Sequence, residues 1–530
     1  MAKSDLRIDI LGTVINITAD EERDYLNRLL EKYRKTVDDV QRNSGIKDPL
    51  KTAILTGFLL SDELEKARQN SGNHRSGEES AEAERLTQSM ISRLNEMISN
   101  PGEKNIEHSS AGIFKLQNTI KNYDWGSPEW IPALLGQKNP GRVPWAELWM
   151  GVNAMGPSVA ILPMKNEPLP SVPDASVPGN QAQLLSELIA LNSEAMLGKA
   201  CAGKYGNLPF LFKVIAVAKP LSIQAHPESG HAREGFEREN REGLPMDAPN
   251  RNYRDSWRKP ELICALSPFA ALCGFRTVQE ICSLIGIILQ ASDGALRASL
   301  ESLLSALKTE EENSREISMR AFISAFLSMD GGDLGAFMIK RQSLLERDFP
   351  TYQGEWKLCA YLASLYPKES GVIAPLFLNI IELKPGEAMY IPTGTLHSYI
   401  HGMGIELMAD SDNVIRAGLT AKHVDRDELL EILDFTEYMP EILKAIDNPA
   451  APYMFSYPGQ YEEFTLSVLK SNGNEVSYSE TGPSIILVTE GNAVIEPEAL
   501  EMKTGESAFI PAGKKLVFSG SFKAYAAVNE

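Results

Sequence analysis

Three short segments carry side chains that could do chemistry together. The first is Gln224-Ala225-His226-Pro227. The residues before it, from Ile215 to Ile223, are apolar and β-prone, so Gln224 and His226 are expected at the end of a strand. Two residues apart on a strand, they point to the same face and could offer two ligands to one metal. The second segment is Lys259-Pro260-Glu261. Proline favours extension in the residue before it, so a cation and a carboxylate again share a face. The third is His397, which closes the frame Gly386-x5-Pro392-x-Gly394-x2-His397. Each segment also has an ordinary reading. A lone histidine is more often structural than ligating, and Lys-Pro-Glu by itself is a turn with a surface ion pair.

The elements that must position these residues follow from the rest of the sequence. Gly505-x5-Pro511-x-Gly513-x2-Leu516 repeats the frame around His397, with leucine in place of the histidine. Both copies resemble the second cupin motif. Glycine and proline shape the strand-to-turn geometry, so their recurrence at fixed spacing implies a second barrel. The fold is therefore expected to be mainly β, with two cupin (jelly-roll) barrels, one chemical and one metal-free. Between the two parts of the first barrel, VQEICSLIGIILQ, LRASLESLLSALK and MRAFISAFLSM carry helical periodicity and predict an inserted helical domain. The expected partition is 113–276 for the first part of the catalytic barrel and 277–347 for the helical insertion. Residues 348–435 would complete the catalytic barrel, and 436–530 would form the second one.

The amino-terminal hundred residues read differently. Ile8 and Ile10, then Ile15 and Ile17, alternate with polar residues on either side of Gly12, which predicts a β-hairpin. Leu26, Leu30, Tyr33, Val37 and Val40 then repeat at helical spacing, giving a small α+β head of ββα type over 1–69. Residues 70–80 are polar and carry two glycines, so they predict a joint, and Leu86, Leu94 and Met97 mark a further helix in a 70–112 extension. RIDILGTVINITADEERDYLNRLLEKYRK and DPLKTAILTGFLLSDELEK resemble the ZapA family of bacterial cell-division proteins. That resemblance implies a homo-oligomer and contact with FtsZ through residues 1–100. The SGNHRSG break departs from the family's long continuous helix.

A second resemblance covers residues 113–530. NYDWGS, AELWMGVNAMGPS, LPFLFKVIAVAKPLSIQAHPE, NYRDSWRKPELICALSPFAALCGFR, YIPTGTLHSY and IELMADSDNVIRAGLTAKHVD occur in order. Together they are similar to type I mannose-6-phosphate isomerases. The resemblance implies one zinc per chain, held by Gln224, His226, Glu261 and His397. Two imidazoles, a carboxylate and a neutral amide oxygen suit zinc and keep the site positively charged. The implied reaction interconverts mannose 6-phosphate and fructose 6-phosphate through a cis-enediol. Arg416 is the residue the resemblance marks as catalytic, and its permanent charge suits an enediolate or a phosphate better than proton removal. Glu406 and Lys259 are alternative bases, and Ser222 and Lys422 are expected to contact substrate. His231, His401 and His423 are the competing ligands, none of them in a matching block.

Composition sets the limits. Hydrophobic residues at 43% and charged residues at 23% make a soluble globular mixture. A net charge of −19 disfavours nucleic-acid binding, although a local basic pocket can still hold a phosphorylated sugar. No G-x-x-x-x-G-K-[ST] loop occurs, which disfavours nucleotide-dependent phosphoryl transfer. Five cysteines without C-x-x-C spacing read as reduced thiols in the cytoplasm. The absence of a long apolar run disfavours export and membrane spanning.

Overall fold

A computed structural model describes residues 4–10, 13–19, 35–37, 56, 112–162, 181–307, 315–449, 451–459 and 461–529. The chain divides into two units, Met1–Ser109 and Ser110–Glu530. In the first, strands Ser4–Ile10 and Thr13–Ala19 pair antiparallel with Ile8 opposite Ile15. Residues 35–37 are helical, and Val37 is buried. Apart from Thr56, which is helical and buried, the rest of the expected head, the joint at 70–80 and the helix around Leu86–Met97 lie outside the described residues.

The second unit is mainly β, with two antiparallel sheets of eleven strands each. The first sheet is organised around the 13-residue strand His397–Ala409. Over its second half this strand pairs with Phe210–Val217 on one side and Glu261–Ala265 on the other. Over its first half it pairs with Phe269–Phe275 and Ile223–Ala225. Ile415–Gly418 then pairs with Ile223–Ala225, so every chemical segment meets on or beside one strand.

Period-two alternation sorts the side chains of this sheet. Phe210, Phe212, Val214, Ala216, Leu262, Cys264, Ile405 and Leu407 pack towards the second sheet, against Leu466, Val468, Ile485, Leu487 and Tyr525. The alternate positions Ile215, Val217, Ile263, Ala265 and Tyr399 form a separate apolar cluster with Phe269, Met389 and Ile391. Lys213, Glu261 and Glu406 belong to this second set of positions. The second sheet has its own interior, which includes Ile486, Met502, Phe518 and Leu516, the counterpart of His397 in the repeated frame.

The helices form a third layer. Thr277 and Glu280 make a capping box for Val278–Gln290, satisfying free N–H groups at the start of the helix. Gly294–Ala306, Arg315–Leu327 and Gly332–Asp348 follow. The helical layer runs past the expected limit at 347, through Gln353–Leu365 and a 3₁₀ segment at Ser370–Leu376. Trp356, Cys359, Leu362 and Ala363 supply the apolar stripe that buries this extra helix.

A further difference concerns 113–276. Strands Phe114–Gln117, Val159–Leu162 and Gln181–Leu184 join the second sheet, through Leu116 opposite Ser507, rather than the catalytic one. Short strands of this kind cover a sheet edge that would otherwise expose unpaired backbone groups. Among the described residues no single helix is long and apolar enough to cross a membrane.

Candidate active site

The helical layer sets the aim of two site strands. Ile223, Ala225, Ile415 and Ala417 are buried in the same cluster as the helix residues Ile285, Phe322 and Trp356. Alternation then turns Gln224 and Arg416 to the opposite face. Gln224 stands opposite both His397 and Arg416 in the ladder.

His226, Glu261 and His397 converge in a buried cluster whose ligand atoms lie within 4.8 Å of one another. Glu261 Oε1 is 3.2 Å from His226 Nε2, and Oε2 is 3.4 Å from His397 Nε2. Gln224 Nε2 is 3.5 Å from His397 Nε2, and Ser222 Oγ donates to Gln224 Oε1 at 3.4 Å. The two imidazoles are held from behind by backbone carbonyls: His226 Nδ1 is 2.8 Å from Asn413 O, and His397 Nδ1 is 2.9 Å from Thr395 O. An Nδ1–H donated to a carbonyl leaves the Nε2 lone pair facing the cluster, the tautomer a metal ligand requires.

The donor set fits a zinc ion. His226 Nε2 and Glu261 Oε2 are buried without hydrogen-bond partners, an arrangement that a cation among them would satisfy. Burial and the Lys259 ammonium hold the His226 imidazole down at about 4, so it is neutral and able to ligate at physiological pH. Burial opposes ionisation of Glu261, but His226 in its protonated form and the Lys259 ammonium outweigh it and hold the carboxyl well below its usual range.

Lys259 is buried, with Nζ 3.2 Å from Glu261 Oε1. Glu406, the other expected base, is bound to Lys213 Nζ at 2.9 Å. Its carboxyl is raised by burial, with Lys213 opposing and Glu261 and Glu147 adding to the rise. Burial would lower the Lys213 ammonium, yet Glu147 and Glu406 hold it charged. Glu147 Oε2 is 3.7 Å from Lys213 Nζ and accepts a hydrogen bond from Trp149 Nε1.

Arg416 and Lys422 lie within each other's field, and a third cation, Arg254, bears on both. Burial followed by Arg254 lowers Arg416, while burial, Arg416 and Arg254 lower Lys422. Asn413 holds the Arg254 segment. Its Oδ1 accepts from Arg254 N at 2.7 Å, and its Nδ2 donates to Asp255 O at 2.9 Å and Trp257 O at 3.0 Å. The competing histidines stand elsewhere. His231 contacts Glu228, His401 packs edge-on against Trp130 at 5.2 Å, and His423 is exposed.

Sequence reasoning missed Lys213, Glu147 and Arg254 as members of the site. Lys213 left a signal, as the one charge in the buried strand Phe210–Val217, where an unpaired ammonium would be too costly to keep. Arg254 left none beyond its place five residues before Lys259.

Comparison with known proteins separates the two units. "Phosphomannose isomerase type I, catalytic domain" describes the family matched by residues 113–278, and "Cell division protein ZapA" the family matched by residues 6–98. The mannose-6-phosphate isomerase of Salmonella typhimurium is 37% identical over 408 residues, 76% of this chain and 96% of that protein. The Homo sapiens enzyme of the same name is 30% identical over 415 residues, 72% of this chain and 88% of that one. A zinc-bound crystal structure of mannose 6-phosphate isomerase superposes with a TM-score of 0.67 at 33% identity, covering 79% of this chain and 100% of that one. The Salmonella typhimurium structure bound to its substrate, fructose 6-phosphate, and to zinc gives 0.66 at the same identity and coverage.

Proposed function

Because the chain belongs to the type I phosphomannose isomerase family, we propose that it interconverts D-mannose 6-phosphate and D-fructose 6-phosphate through a cis-enediol at the cluster around Glu261. The chain is a mannose-6-phosphate isomerase with zinc as its cofactor. The observation that carries the reading of its site is the buried His226–Glu261–His397 convergence, with two polar atoms left unsatisfied. In this reading each eleven-stranded sheet is a cupin barrel, and only the first is chemical.

Gln224, His226, Glu261 and His397 would hold the zinc, with Gln224 turning its amide over to present oxygen. When bound, zinc supplies a Lewis acid for the sugar oxygens on C1 and C2. Ser222 steadies Gln224 and would contact substrate. Glu406 carries the proton between C1 and C2, because its raised affinity for a proton brings it nearer to neutrality. Lys213 and Glu147 fix its orientation. Lys259 is the alternative carrier, and its charge bears first on Glu261. Arg416, Arg254 and Lys422 form the cationic wall that a dianionic phosphate or an enediolate oxyanion requires.

The test is a coupled assay on His397→Ala and Glu406→Gln, with zinc content measured on each. The reading predicts loss of zinc and turnover in His397→Ala, and loss of turnover with zinc retained in Glu406→Gln. Unchanged turnover in His397→Ala would sink the ligand assignment, and unchanged turnover in Glu406→Gln the base. A second reading concerns residues 1–109 alone. Their match to ZapA supports an oligomerising module that carries the isomerase to FtsZ.

A further inference from the structure

We infer that the second sheet serves the reaction through one ion pair, Arg258–Glu463, which positions Lys259 and Glu261 for metal binding and turnover. Arg258 Nε donates to one Glu463 carboxylate oxygen at 2.7 Å, and a terminal guanidinium nitrogen donates to the other at 2.8 Å. The pair is bidentate, the geometry in which a guanidinium fixes direction as well as distance. The Glu463 side chain is 9% exposed and that of Arg258 32%, so the pair is less screened than one fully exposed on the surface.

What Glu463 is fixed to gives the pair its reach. It stands two residues before the strand Thr465–Asn472 of the second sheet. Asn529, just beyond the strand Lys515–Val528, donates Nδ2 hydrogen bonds to Glu462 O at 2.8 Å and Glu463 O at 3.1 Å. The backbone at Glu463 is thus tied to the ends of two strands of a sheet that contains none of the proposed ligands. Its partner Arg258 immediately precedes Lys259, whose Nζ is 3.2 Å from Glu261 Oε1.

The Arg258 guanidinium also lies 5.7 Å over the ring of Tyr461, while the backbone anchors of this segment come from the catalytic side. Trp257 O accepts from Asn413 Nδ2 and Ser411 Oγ, and Pro260 O accepts from Ala409 N at 3.2 Å. Arg258–Glu463 is therefore the hydrogen-bonded tie that this segment makes to the lead-in of the second sheet. Pro260 donates no hydrogen bond, and its ring restricts Lys259, so a shift at Arg258 passes along a stiff segment to Lys259 and Glu261. Groups that orient metal ligands from behind typically change metal affinity or activity by about 10–100-fold when removed.

The inference rests on the reading of Glu261 as a zinc ligand, and the experiment separates the two. Full-length zinc-loaded protein is compared with Arg258→Ala, Glu463→Gln and the reversed pair Arg258→Glu/Glu463→Arg. Zinc release to a chelator, kcat, KM and Tm are followed for each. The expected result is zinc release faster by about tenfold or more and kcat lower by a similar factor in both single variants, with KM within about twofold. The reversed pair should recover part of both losses. If zinc release and kcat in Glu463→Gln match the parent and only Tm falls, the pair is a structural tie and the inference is wrong. Should Arg258→Ala fail to fold, Glu463→Gln, which keeps a hydrogen-bond acceptor, still decides the matter. A parent protein that holds no zinc would overturn the reading beneath the inference instead.

Discussion

Glu261 places one oxygen 3.2 Å from both His226 Nε2 and Lys259 Nζ and the other 3.4 Å from His397 Nε2. A carboxylate in that position faces an ammonium on one side and, in the proposed reading, would neutralise a metal on the other. Glu261→Gln keeps the shape and removes the charge. Lewis-acid stabilisation is worth several kcal/mol, which at about 1.4 kcal/mol per tenfold makes the expected fall in kcat/KM about a thousandfold. Metal analysis beside the coupled assay would show zinc lost with it. Asp410 gives a prediction of opposite character. Burial first, with Asp412 and Asp255 adding and a hydrogen bond from Asn153 opposing, pushes its carboxyl up to about 7. The folded state thus binds more protons than the unfolded state between about 4 and 7. The stability Asp410 contributes is full below that window and is lost as pH rises through it. Asp410→Asn should therefore raise Tm at pH 8 relative to the parent and do less at pH 5. An equal change at both would contradict the assignment. At this scale the proposed ligands, Glu406 and Arg416 could be named from the residue types of short motifs and from the roles that the resemblance implies. Lys213, Glu147 and Arg254 could not, since their roles arise from strand register and loop packing. Lys213 meets Glu406 only because their strands pair across 193 positions of sequence.

The two glycine-proline frames behave differently as elements. Gly394 and Gly513 both have positive φ, at 77° and 71°. A Cβ on Gly394 would come within 2.9 Å of Ile432 O and 3.0 Å of Asp434 N, whereas one on Gly513 would meet nothing within 4 Å. Gly513→Ala should therefore cost only the left-handed backbone penalty, about 1–2 kcal/mol, read as a modest fall in unfolding free energy. Gly394→Ala should cost more. It should also speed zinc release, because Gly394 turns the chain three residues before His397. Equal costs at the two sites, measured by denaturant unfolding, would contradict this. The repeated frame was legible because turns need specific residues at fixed offsets. The helix Gln353–Leu365 was not, since its stripe of Trp356, Cys359, Ala360 and Leu362 follows a proline and a 3₁₀ turn that read as the end of the insertion. Nor was the placement of Phe114–Gln117 in the second sheet. A four-residue strand says nothing about a partner nearly four hundred residues away.

In the second unit, the second sheet, the site-bearing sheet and a helical layer lie one against the next, with an apolar cluster at each contact. The chain divides into two units between 109 and 110. Residues 110–530 alone should keep the kcat/KM of the full chain within about twofold. The full chain should form the larger oligomer in sedimentation, where equal sizes would remove the role proposed for the first unit. The central claim is that one zinc ion, held by Gln224, His226, Glu261 and His397, makes the site an aldose–ketose isomerase. The most direct measurement strips the full-length protein with a chelator, verifies metal removal and follows mannose 6-phosphate conversion before and after zinc is returned. The account predicts turnover lost on stripping and restored at one zinc per chain. Full turnover by protein shown to be metal-free would contradict it.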